Sequence, residues 1–216
     1  DYFLNATGAL NTKRFGVVGS LTSQLYEPSP QHKYFTNSYF QFVNRNFNKV
    51  LNNELSVTLK QNGTVFPFVL TGKLQNLTNY VYFDNTITPV QDPKSIQFLQ
   101  LSVGKRFNYK TLNARIDGFA QQVADLSLPN WAFKLDAYYQ NQLFDSAILL
   151  KAGADLFYSA KYNSLGYMPV LRQFYFNSGT TLGNYPLLDL YVAGEIKSLT
   201  FFLKMENVLN GFIANI

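Results

Sequence analysis

The 216-residue chain is 47% hydrophobic and 17% aromatic but only 14% charged, against roughly 25% charged in an ordinary soluble domain. Its 20 Phe and 15 Tyr against a single Trp suit half-buried pleated surfaces, and no run approaches the roughly 18 apolar residues of a membrane-spanning helix. The +5 net charge is scattered rather than gathered into a nucleic-acid footprint, and with no cysteine and one histidine, His32, the chain lacks disulfides, thiolate metal sites and the usual hydrolase and zinc kits.

Taken in chain order, the residues alternate apolar with polar or small in segments of about ten to fourteen, punctuated by Asn, Gly, Pro, Asp and Ser. The alternation predicts strands over 14–26, 33–44, 54–61, 66–75, 80–88, 95–107 and 112–124, with Asn62-Gly63 as a hairpin turn. Pro28, Pro30, Pro89, Pro93, Pro129, Pro169 and Pro186 fall between segments or at their edges, and Pro67 is expected to mark a bulge. Over 131–140 the pattern is clearest: Trp131, Phe133, Leu135, Ala137 and Tyr139 share one face, and Lys134, Asp136, Tyr138 and Gln140 the other. The next segment sets Ile148, Leu150, Ala152, Ala154, Leu156 and Tyr158 against Lys151, Gly153 and Asp155. A less regular strand precedes Phe176. Then Leu188, Leu190, Val192 and Ile196 oppose Asp189, Tyr191, Glu195 and Lys197, and Leu199, Phe201, Leu203 and Met205 oppose Lys204 and Glu206. The expectation is one all-β domain over 1–216, an antiparallel sheet of about twelve strands.

A soluble sandwich and a barrel both need one apolar face. Strand length favours the barrel, because sandwich strands average five or six residues whereas a tilted strand needs about nine to eleven to cross a bilayer. Each Lys or Arg aimed at the lipid midplane would cost about 2–4 kcal/mol, which explains why Lys134, Lys151 and Lys204 share a face with Asp136, Asp155 and Glu206. A spanning sheet must close, since unpaired backbone groups in hydrocarbon cost several kcal/mol each, so the ionic face becomes a watered lumen. Aromatic pairs such as Tyr138-Tyr139, Phe157-Tyr158, Phe174-Tyr175-Phe176 and Tyr185 are expected at the interfacial girdles. Lys105 breaks the scheme by sharing parity with Leu99, Leu101 and Val103. Either Gly104 bulges the strand or Lys105 snorkels to the headgroups.

Three segments carry a family likeness: "NYVYFDNTITPVQ" from Asn79, "LPNWAFKLDAYYQNQLFDSAILLKAGADLFYSAKYNSLGYMPVLRQFYF" from Leu128 and "GNYPLLDLYVAGEIKSLTFFLKMENV" from Gly183. They resemble the putative porin family of Bacteroidota outer membranes. The resemblance implies an outer-membrane β-barrel of a Gram-negative envelope and passive diffusion, with no cofactor and no enzymatic step. Members resemble longer chains that often close on an aromatic C-terminal residue, whereas this one starts at Asp1 and ends at Ile216, so about twelve strands is an expected lower bound.

The candidate pore-lining residues are Lys134, Asp136, Tyr138, Lys151, Asp155, Asp189, Tyr191, Glu195, Lys197, Phe202, Lys204 and Glu206, joined by Arg115 and Asp117. The charges either set ion preference, weakly because their signs are mixed, or form cross-strand salt bridges that stiffen the wall. Tyr138, Tyr191 and Phe202 either stack on amphipathic solutes or pack against an inserted loop. Loop material around 162–172 and 89–93 is long enough to fold inward. Asp145-Ser146-Ala147 resembles the O-glycosylation sequon of these bacteria, with Ser146 as acceptor, although ordinary turn chemistry also suits it. The expected partners are outer-membrane lipid and lipopolysaccharide. A rival reading is a plugged scaffold barrel that holds outer-membrane lipoproteins or a larger envelope complex.

Overall fold

A computed structural model describes residues 1–43, 46–62, 67–123, 126–145, 147–176 and 179–210. Ten long strands form one sheet: β1 (Tyr2–Asn11), β2 (Phe15–Tyr26), β3 (Val50–Gln61), β4 (Phe68–Thr78), β5 (Ile96–Tyr109), β6 (Leu112–Val123), β7 (Trp131–Leu143), β8 (Ile148–Ser159), β9 (Leu187–Ile196) and β10 (Leu199–Met205). Each pairs antiparallel with the next in chain order, so the sheet is an up-and-down meander. At about 3.3 Å per residue, a 12-residue strand such as β8 is about 40 Å long and, tilted by about 35–45°, rises about 30 Å. That matches the hydrocarbon core of a bilayer. Among the described residues no helix is long and apolar enough to cross a membrane, and the one helix among them is the turn Pro30–Lys33.

The connections are asymmetric. At one end the strands join across 12–14, 62–67, 110–111, 144–147 and 197–198, where Lys110, Phe144, Asp145 and Lys197 take left-handed backbone conformations with φ of 54°, 54°, 52° and 53°. At the other end they join through 27–49, 79–95, 124–130 and 160–186. Short turns at one end and long loops at the other are the connectivity of bacterial membrane barrels.

Two expected spanning strands belong instead to these long loops. Residues 33–44 contain the end of the helical turn and a two-residue pair, Phe35–Thr36 with Gln41–Phe42, and 80–88 contains Val81–Phe83 with a turn leading to Pro89–Gln91. The strand expected before Phe176 is the three-residue Gln173–Tyr175. The apolar alternation there serves a small loop sheet in the order Gly166–Met168, Gln173–Tyr175, Val81–Phe83, Pro89–Gln91. Conversely, β1 lies outside the expected strands, and its one face is marked by Asn5, Thr7 and Asn11 alone. Pro67 produces no bulge: it precedes β4 and its carbonyl accepts the Arg106 backbone N–H at 3.3 Å.

The loops carry their own core. Phe42, Phe83 and Leu171, one from each of three long loops, bury together against Phe35, Phe40, Ile87, Met168 and Tyr175. Phe83 is 2% exposed and stacks on His32 at 5.0 Å between ring centroids. A second cluster joins Val81 to Val50, Leu77 and Ile96, with Tyr26, Phe47, Tyr80, Phe98, Val123 and Leu126 around it. The Asp84 carboxylate accepts from the Thr86 hydroxyl and the backbone N–H groups of Thr86 and Thr88. Burial pushes this carboxyl up, but those hydrogen bonds outweigh it and hold it below its usual range.

Burial lowers the His32 pKa, opposed by the Ser29 backbone. A depressed folded-state value means the loop cap prefers neutral imidazole, so its contribution is complete above the unfolded value of about 6.5 and fades as pH falls through the lower folded value. Limited proteolysis of 27–49 is therefore expected to accelerate on acidification below about pH 6.5 in the native protein, and to show much less of this acceleration in His32→Phe.

Candidate pore wall

Because cross-strand partners share a face, the registers assign every strand residue to one of two surfaces. Asn5, Thr22, Glu54, Gln75, Phe98, Gln121 and their period-two neighbours lie on one face, which continues through Arg115, Asp136, Asp155, Asp189 and Lys204. Apart from Lys105, every Lys, Arg, Asp and Glu in the ten strands falls on this ionic face. The opposite face carries Leu21, Leu55, Leu74, Leu99, Leu101, Leu190 and Leu203, all exposed, with Leu101 at 55% and Leu203 at 70%. Among the described residues, the buried apolar side chains are Pro28, Phe42, Val50, Leu77, Val81, Phe83, Pro89, Ile96, Ala132 and Leu171; they lie in the loops or on the ionic face. A sandwich would bury the leucine face, and among the described residues no layer covers it.

The ends of the apolar face are aromatic. Trp131, Phe133 and Tyr158 cluster near the loop end, with ring centroids 5.5–6.4 Å apart, and Phe107, Tyr109 and Tyr139 lie toward the turn end. Of the expected girdle residues, Tyr139 and Tyr158 are on this face, whereas Tyr138 and Phe157 point to the ionic side and Phe174–Phe176 and Tyr185 belong to the long loop. β5 and β6 pair without interruption from Phe98 to Tyr109, so Gly104 does not bulge. Lys105 instead extends along the apolar face, with its ammonium 4.9 Å from the Phe107 ring.

The ionic face is densely cross-linked. Lys204 Nζ lies 2.8 Å from Asp189 and 3.3 Å from Glu206, and Asp189 also accepts the Asn207 N–H at 2.8 Å. Lys134 approaches Asp155 at 4.0 Å, Lys73 pairs with Glu54 at 2.7 Å, and Arg115 holds Asp117 through Nε at 2.5 Å and Nη2 at 3.0 Å. The Tyr191 hydroxyl donates to Asp136 at 2.9 Å, and the Lys151 ammonium sits 3.8 Å from the Tyr138 centroid and 5.3 Å from that of Tyr191. The rings of Tyr191 and Phe202 are 6.2 Å apart. The expected aromatic platform is thus occupied by the chain's own cation.

Registers also bring together charges that are distant in sequence. One row across β5 to β9 reads Arg106, Arg115, Asp136, Asp155, Asp189, each directly opposite the next. Cations and carboxylates are segregated along this row rather than interleaved. Of the other expected wall residues, Tyr138, Glu195 and Phe202 lie on the same face; Lys197 is in the β9–β10 turn and Glu206 just beyond β10. Ser146 lies outside the described residues. Glu54, Lys60, Lys73 and Arg106 complete the ionic face. Their parity with neighbouring Ser, Thr and Gln was a usable sequence signal.

A family model described as "Putative porin" matches residues 1–215. No curated protein matches the chain. Among solved structures, the ferric-catecholate import receptor Fiu from K12 E. coli superposes with a TM-score of 0.62 at 15% identity, covering 95% of this chain and 30% of the receptor chain. The ferric enterobactin receptor PfeA gives 0.63 at 13% identity, covering 95% and 34%. FpvA of P. aeruginosa gives 0.60 at 11%, covering 96% and 28%. At these identities the likeness is one of fold, and the chain spans about a third of the structures it matches.

Proposed function

Because the chain belongs to the putative porin family, matched over residues 1–215, we propose that it is the wall of a Gram-negative outer-membrane β-barrel through which small hydrophilic solutes diffuse passively. The observation that carries this reading is the segregation of strand charges to one face while large leucines stand exposed on the other. The leucine face contacts outer-membrane lipid and lipopolysaccharide, and the ionic face borders water. β1 and β10 each pair on one side only among the described residues, and their free edges must pair, with each other or with further strands, to be tolerated in hydrocarbon. Transport then involves no covalent step: pore width excludes large solutes, and the field of the wall charges biases ions. Planar bilayers containing the full-length protein are expected to show steady ohmic steps that scale with bulk electrolyte conductivity.

The loop cores favour a second reading. Val81 packs against Val50, Leu77 and Ile96, which lie on the ionic face at the loop end, so loop material covers part of that face. A cap that seals the lumen would make this a scaffold barrel presenting loops to lipoproteins or a larger envelope complex. Silent bilayers with correctly folded protein would select that reading over diffusion.

A further inference from the structure

One region of the ionic face gathers four cations, of which Arg115 pairs with Asp117 and Lys134 approaches Asp155. Between β3 and β8 it forms a groove of about 650 Å³ whose lining includes Lys60, Arg106, Arg115 and Lys134, with Asp117 as its acidic group. This is within the roughly 300–1,000 Å³ of small-molecule sites. Among the described residues Lys60 and Arg106 form no ion pair. Arg106 and Arg115 are direct cross-strand partners, an arrangement that repels unless a shared anion lies between them. Asp117 engages Nε and Nη2 of Arg115, leaving the guanidinium only partly satisfied. The same lining includes the apolar side chains Val69, Phe119 and Phe157, from β4, β6 and β8. A free inorganic ion would satisfy the cations but leave these side chains against water.

We propose that this groove binds organic oxyanions, carboxylates or phosphate monoesters attached to an apolar body, with the oxyanion between Lys60, Arg106 and Arg115 and the body against Val69, Phe119 and Phe157. Arginine forks match such oxyanions through parallel charge-assisted hydrogen bonds. As a site on the solute's path it rests on the diffusion reading, whereas the binding itself does not require an open pore.

The test uses full-length protein in nanodiscs, with phenyl phosphate as probe and inorganic phosphate as comparison, measured by calorimetry alongside bilayer conductance. Phenyl phosphate is expected to bind more tightly than inorganic phosphate. Arg106→Gln should weaken it about tenfold or more, and Lys60→Gln with Arg106→Gln further, in variants that keep the folded protein's mobility in unheated SDS gels. Arg106→Lys, which keeps the charge but loses the fork, should fall between. Failure of the native protein to bind phenyl phosphate, or equal affinity in the double variant, overturns the groove assignment. Equal binding of the two phosphates overturns the apolar-body component. Native protein that binds the probe but never conducts supports the groove and ends the diffusion reading. Protein that conducts but does not bind ends the groove alone.

Discussion

Leu135→Lys is expected to destabilise the folded, membrane-inserted protein by about 2–4 kcal/mol, the cost of a lysine near the midplane on a lipid-facing position. Leu135 lies between its register partners Ile116 and Leu156 on the apolar face. One residue earlier the same strand already accommodates Lys134, which faces Asp155 at 4.0 Å. A composition-preserving exchange, Lys134→Leu with Leu135→Lys, therefore separates position from composition. It should be at least as damaging as the single change, because it also removes the ionic-face lysine. Urea-dependent folding into phosphatidylcholine vesicles measures both. If the protein were a soluble sheet with a wet outer face at Leu135, the lysine would cost little and the exchange would be nearly neutral.

The second large effect is local. Phe83→Ala removes a ring that is 2% exposed and that meets His32 at 5.0 Å and Phe42 at 6.0 Å. Truncating a buried Phe costs about 3–5 kcal/mol, and here the loss falls on the cap built from three long loops. The β1–β10 sheet makes its ladder without Phe83, so the folded electrophoretic mobility should persist. Hydrogen exchange in 79–95 and 160–176 should accelerate about a hundredfold or more, given about 1.4 kcal/mol per decade. In bilayers, an inward-folded cap would reveal itself as larger or newly detectable conductance steps in Phe83→Ala.

Legibility in the sequence followed charge. Where Lys134, Asp136, Lys151, Asp155 and Asp189 mark one parity, strand and face could both be read, and the registers place them on a common surface. β1, with Asn5, Thr7 and Asn11 as its polar marks, has too faint an alternation to be read as a strand from the sequence. The stretches 33–44 and 80–88 misled because alternating aromatics look alike whether they face lipid or a loop core such as that of Phe42 and Phe83. Cross-strand neighbours were invisible for a simpler reason. Nothing in the local pattern says that Arg106 meets Arg115, that Asp136, Asp155 and Asp189 stand in one row, or that Lys151 rests on Tyr138. These depend on register, which turn geometry and strand pairing set over the whole sheet. Lys105 shows the limit of parity: it sits on the apolar face in an uninterrupted strand, with its ammonium at the Phe107 ring.

These 216 residues contain no cysteine, so with any cysteine elsewhere in the full-length protein replaced by serine, single cysteines give the most direct test of the two-faced wall. Single cysteines placed in turn at Gln100, Leu101, Ser102 and Val103 of β5, in full-length protein inserted into vesicles, would be probed with a charged, membrane-impermeant maleimide and by quenching of an attached fluorophore with brominated lipid. The two-faced wall requires strict alternation: Gln100→Cys and Ser102→Cys react with the maleimide and escape quenching, whereas Leu101→Cys and Val103→Cys resist the maleimide and are quenched. Uniform reactivity along the strand, or alternation in the opposite sense, would contradict it.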